Sequence, residues 1–121
     1  MRGDTVHKVF DSLFVTRGCH FHFSQALWRK VQNCSMVTTY MNDSNFQSFV
    51  RCNVALAFLP LVHLESTLEE LQNWKFDKGS ENFDEMVKFR DVFMEYITHQ
   101  WVEGSFPPFV WNCWKKLQNK G

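Results

Sequence analysis

Between Arg17 and Gln32 the spacing of apolar side chains changes period. Cys19, Phe21 and Phe23 alternate with His20 and His22, the two-residue repeat of a strand. After Ser24, a residue suited to an N-cap, Leu27 and Val31 recur at helical spacing, and Arg29 and Lys30 fall off that stripe. The pattern predicts a strand around Phe14 to Phe21 that runs into a helix ending near Asn33. Upstream, Val6, Val9, Phe10, Leu13 and Phe14 predict a helix over residues 5–14, capped by Asp4 or Thr5. No second strand follows, so the expected one would need partners to satisfy its backbone.

The remainder reads as helices. Residues 37–42 are expected to form a connector or single turn, after which Asp43 or Ser44 caps a helix. Its stripe is Phe46, Phe49, Val50, Val54, Ala57 and Phe58, and Pro60 breaks it because the ring clashes with the preceding turn. Leu64, Leu68 and Leu71 form the next stripe, with Glu65, Glu69 and Glu70 outside. Residues 74–79 are a charged link without pattern. The longest helix is expected from Ser80 to about Gln100, with Phe83, Met86, Val87, Phe93, Met94, Ile97 and Trp101 inward and Arg90 interrupting them. Gly104 ends that segment. Pro107 and Pro108 then suit the first turn of a last helix carrying Trp111, Trp114 and Leu117 inward, with Lys115, Lys116 and Lys120 near its C-terminus. No internal repeat or low-complexity tract is present.

Composition narrows the class. The 121 residues make one domain at most, and 45% hydrophobic residues with thirteen Phe and five Trp are too apolar for disorder. The longest apolar run, Val54 to Val62, is too short to span a membrane and contains Pro60, and no signal peptide opens the chain. A formal net charge of zero weighs against tight DNA binding by this chain alone. Cys19, Cys34, Cys52 and Cys113 form no paired framework, which fits a reduced, intracellular setting.

The candidate chemistry is concentrated near the first helix. A thiolate and an imidazole both suit zinc, and Cys19 and His22 have a spacing that lets both reach one ion across a turn. On strand parity they face opposite sides unless the chain bends. A closed site would also need Cys52, Cys113, His63 or His99, brought in by the fold. The plainer reading makes Cys19 a small buried hydrophobe and His22 a hydrogen bonder at the helix start. Cys19 paired with His22 or His99 as a nucleophile lacks an evident orienting group. Five scattered glycines form no phosphate loop.

Three stretches carry a resemblance. Gly18-Cys19-x-Phe21-His22-Phe23, followed by Gln25-Ala26-Leu27-x-Arg29-Lys30, resembles the segment after the second catalytic aspartate of Mutator-like element (MULE) transposases. Arg51-x-x-x-Ala55-Leu56-Ala57-Phe58-x-Pro60 resembles a second family run. Trp101-Val102-x-Gly104, with Phe106-Pro107-Pro108-x-x-Trp111-Asn112, resembles a third. They occur in the family order and cover most of residues 18–112. Ser35 departs from the pattern, standing in Cys34-Ser35-Met36 where the family often has Leu-Gly-Leu and where a C-capping glycine is favoured.

The resemblance implies a mainly α chain: a helix and one short strand at the edge of an otherwise absent RNase H-like sheet, then an all-helical array. Residues 1–23 would be the remnant of the catalytic core and 24–121 the helical insertion. Such transposases hold two metal ions, Mg or Mn, on two aspartates and a glutamate for phosphoryl transfer. Carried over residue by residue, the triad falls outside this chain. The context of Asp4 and Asp11 differs from that of the second aspartate, and the glutamate would follow Gly121 in an Asn-Asn-x-x-Glu context. The family also has a Cys/Asp-x-x-His signature where Cys19 and His22 stand.

The implied function is a fragment or remnant of a MULE-type DNA transposase, inactive alone, without a cofactor of its own and nuclear if functional. Its partners would be DNA, within a complete transposase, and the missing catalytic half or a second copy. Arg29, Lys30, Lys115 and Lys116 would then contact DNA phosphates, against the alternative of a solvated helix face. Two other expectations stand beside this one: a small helical protein-interaction module derived from such an element, and a zinc-stabilised module built on Cys19 and His22.

Overall fold

The computed structural model describes residues 19–104 and Asn112. They form five α-helices: α1 (Cys19–Asn33), α2 (Val37–Asn42), α3 (Ser44–Val54), α4 (Leu64–Gln72) and α5 (Phe83–Ile97). Two 3-10 turns, Ala55–Phe58 and Leu61–His63, join α3 to α4, and a π-helical turn, Thr98–Val102, extends α5. The mainly α expectation holds among these residues, and no strand occurs among them. The expected helix over residues 5–14, the strand residues before Cys19 and the last helix lie outside the described residues.

One expectation is corrected. Cys19 to Phe23, read as strand from their alternation, form the opening of α1, which is helical back to Cys19. Five alternating residues fit either period. The tie is broken by Phe23, Leu27 and Val31, all fully buried and spaced four apart, while His22 is exposed. This is a helical stripe. The proposed division at residue 23 therefore falls inside a continuous helix.

The end of α1 explains why residue 35 matters. Ser35 N–H donates to Gln32 O at 3.0 Å and Met36 N–H to Val31 O at 3.0 Å. This is the paired pattern of a Schellman cap, and it requires left-handed backbone at its penultimate residue. Ser35 adopts it, with φ of 59°. Met36 is buried, as is Val31, supplying the apolar contact that accompanies this cap.

α3 occupies the centre, packing against α1, α2 and α4. Asp43 is its N-cap, its Oδ1 accepting from Phe46 N–H at 2.9 Å. Phe46, Phe49, Val50, Val54 and Ala57 are buried as the stripe predicts, and so are Leu64, Leu68 and Leu71 of α4. α5 starts at Phe83 rather than Ser80. Its core face includes Phe89, which the sequence reading passed over, alongside Met86, Phe93, Met94 and Ile97.

The link after α4 is built into the core. Phe76 is buried, its ring centroid 6.0 Å from Phe46 and 5.6 Å from Phe49. Trp74 lies 5.8 Å from Phe49, and its indole N–H donates to Asn45 Oδ1 at 3.1 Å. Asn45 in turn donates to Lys75 O at 3.0 Å. Arg90, which breaks the apolar stripe of α5, donates from Nη1 to Trp74 O at 2.9 Å and pairs with Asp91 at 3.0 Å. The interruption thus supplies the donor that the partly buried link needs.

Ser35→Gly is expected to stabilise the chain by about 0.5–1 kcal/mol, because relief of left-handed strain exceeds the entropy that glycine adds to the unfolded state. Urea unfolding of the two proteins measures the difference, and a loss of stability would refute the cap assignment.

Candidate functional site

The three stretches singled out in the sequence are neighbours in space. Phe23, from the first, lies edge-on to Trp101, from the third, with ring centroids 5.3 Å apart and planes at 78°. The Trp101 indole N–H donates to Tyr96 Oη at 3.2 Å. Lys30, also from the first stretch, places its Nζ 4.9 Å from the Tyr96 ring centroid, within cation–π range. Trp101 and Tyr96 therefore join the π turn and α5 to α1.

The second and third stretches meet through Asn112. Its Nδ2 donates to Leu56 O at 3.0 Å and to Leu59 O at 2.7 Å. A helix continuing through α3 would satisfy the Leu56 carbonyl with the N–H four residues on, but that residue is Pro60, which has none. The chain instead tightens into the 3-10 turn Ala55–Phe58, and Leu59 N–H reaches Leu56 O at 3.3 Å. The Asn112 amide adds a strong donor at the same place. The proline of one stretch thus leaves carbonyls that the asparagine of the other covers.

Gly104 has a comparable steric reason. Glu103 N–H closes the π turn on Thr98 O at 2.9 Å, bringing the backbone around so sharply that no side chain fits at the next residue. A Cβ at Gly104 would stand 2.4 Å from Gln100 O and 2.8 Å from His99 O. The glycine of the Trp-Val-x-Gly spelling is therefore a packing requirement of this turn.

The other sequence candidates are dispersed. Helical backbone sets positions 19 and 22 three apart on α1, neighbours on one side of the axis, which removes the opposition expected from strand parity. His63 is exposed in the second 3-10 turn, and His99, also exposed, lies 3.4 Å from Glu103. Cys52 is an exposed free cysteine on α3 whose thiol is pushed above its ordinary value by desolvation, so it is not a thiolate at neutral pH. Among the described residues no three His, Cys, Asp or Glu side chains gather as a metal site. Cys113, Lys115, Lys116, Asp4 and Asp11 lie outside the described residues. Arg29 is exposed on α1, whereas Lys30 is half-buried against Tyr96. Among the described residues no helix is long and apolar enough to cross a membrane.

Between α4 and the π turn lies a groove of about 630 Å³. Leu61, Leu64, Leu68 and Val102 form its apolar lining, and Glu65, Glu69 and Glu103 stand along it. A smaller hollow of about 290 Å³ adjoins it, sharing Gln72 and Thr98 and adding Asp91 and Glu95. Sequence reasoning placed Glu65 and Glu69 outside the α4 stripe but gave no sign that the π turn would wall off a groove beside them.

Compared with protein-family models, with curated proteins and with solved structures, the chain matches none.

Asn112→Ala is expected to destabilise the fold by about 1–3 kcal/mol, since two partly covered carbonyls lose their donor. Asn112→Asp should cost at least as much at neutral pH, because a carboxylate cannot donate to them. Chemical denaturation of both variants tests this, and wild-type stability in either would contradict the latch.

Proposed function

We propose that this chain is the helical insertion of a MULE-type transposase catalytic domain, or a degenerate remnant of one, and that it does not cleave DNA alone. The observation that carries the reading is the meeting of the three family-like stretches. Trp101 packs on Phe23, and Asn112 covers the carbonyls beside Pro60. Phe23 and Trp101, 78 positions apart in sequence (101 − 23), stand in two different family-like stretches and pack on one another. Phe23 with Trp101, Pro60 with Asn112, and Gly104 each take part in a joint: an edge-on ring pair, a broken helix with its latch, and a turn with no room for a Cβ.

On this reading the chain contributes scaffold rather than catalysis. The catalytic aspartates and glutamate, with the Mg or Mn ions they hold, belong to flanking sequence. The RNase H-like edge strand would end before Cys19, where α1 begins. DNA would be contacted only in the complete, nuclear enzyme, and Arg29 is better disposed for a phosphate than Lys30, whose ammonium already faces Tyr96. A second reading, a small helical interaction module derived from such an element, draws its support from the acidic-edged groove beside α4.

Sequencing the complete transcript around this reading frame tests the proposal. An in-frame aspartate upstream and an Asn-Asn-x-x-Glu downstream are the expected result; their absence, with stops on both sides, would leave the remnant form. Metal-dependent strand transfer by the isolated chain would overturn the claim that it is inactive.

A further inference from the structure

The groove between α4 and the π turn combines two features that a solvated surface does not require. Its floor mixes apolar Leu61, Leu64, Leu68 and Val102 with Gln72 and Thr98, and Leu61 remains 43% exposed. Its edges are acidic. Glu65 and Glu69 sit four apart on α4, an arrangement in which like charges oppose each other along the helix. Among the described residues no cation pairs with Glu65, Glu69 or Glu95; Asp91 is held by Arg90, and Glu103 has only His99 at 3.4 Å. Among the described residues these carboxylates gather around two adjoining hollows of a chain whose net charge is zero. A polyanion is repelled from such a groove, and a cation without apolar surface would leave its floor in water.

We infer that this groove receives a basic amphipathic segment of a partner protein, its apolar side chains seated on Leu61 and Val102 and its Lys or Arg groups on Glu65, Glu69 and Glu103. The mode is helix-in-groove recognition with electrostatic steering from the edges. Thr98, in the wall shared by both hollows, has a buried Oγ1 without a hydrogen-bond partner among the described residues. The inference does not require the transposase reading, because it rests on the groove side of the π turn and not on the packing of Trp101 or Asn112.

The probe is a fluorescein-labelled Leu/Lys peptide of about 18 residues, long enough to hold a helix when bound, with a Leu/Glu peptide of the same pattern as control. Titration into the full chain is followed by anisotropy, and backbone amide shifts map the contact. The expected result is saturable one-to-one binding, weakened by salt, with shifts confined to residues 61–72 and 98–103. Glu65→Lys with Glu69→Lys should weaken it about tenfold or more, and Glu65→Gln with Glu69→Gln by less. Asp84→Lys with Glu85→Lys, on the exposed first turn of α5 and away from the groove, should leave it unchanged. Circular dichroism melting confirms that each variant remains folded. No saturable binding, equal binding of the Leu/Glu peptide, shifts outside the groove, or equal loss in the Asp84/Glu85 variant would each overturn the inference. A chain that sediments at twice its mass without peptide, and reverts to single mass in the Glu65/Glu69 variant, would assign the groove to a second copy instead.

Discussion

Everything described in this molecule depends on an aromatic seam between α3 and α5. Phe49 is at its middle, within 5.6 to 6.3 Å of Phe46, Trp74, Phe76 and Phe93. Phe89 stacks on Phe93 at 4.7 Å and meets Phe46 at 5.3 Å, closing the cluster. Rings bury large areas and add about 0.5–1.5 kcal/mol per well-oriented pair beyond that burial. A segment with no helix of its own, residues 73–82, can therefore be pinned by two side chains, Trp74 and Phe76. The polar contacts of Asn45 and Arg90 then satisfy the backbone that this pinning brings inside.

The seam also sets where the joints fall. Because α3 is fixed in the core, Pro60 must stop it at a defined place, and the carbonyls left at Leu56 and Leu59 face a fixed neighbour, Asn112. Because α5 is fixed, its π turn carries Trp101 onto Phe23 of α1 and raises one wall of the groove beside α4. The motif joints and the acidic groove thus follow from one core and share the π turn.

Much of this was legible in the sequence wherever one period dominated. Phe46, Phe49, Val50 and Val54 in α3, Leu64, Leu68 and Leu71 in α4, the Asp43 cap and the break at Pro60 all follow from local patterns. The failures have physical causes. Cys19 to Phe23 alternate over too few residues to distinguish strand from helix, and the choice is made by burial of Phe23 with Leu27, a tertiary effect. Phe76 is a single apolar residue in a charged link, so no period exists to reveal it. Arg90 looked like a fault in α5 because its partner, the Trp74 carbonyl, is backbone and leaves no trace in side-chain pattern. The candidate site was legible as spelling but not as geometry: Asn112 and Gly104 stood in motifs, yet only the fold shows which carbonyls the one covers and which the other must avoid.

The most direct test of the account is the unfolding free energy of Phe49→Ala, measured by urea denaturation with near-ultraviolet circular dichroism as a readout of ring packing. Phe49 is fully buried at the meeting point of α3, the link and α5, so the substitution should cost about 3–5 kcal/mol and erase most of the near-ultraviolet signal. A cost below about 1 kcal/mol, with that signal retained, would mean that the seam does not hold these elements together.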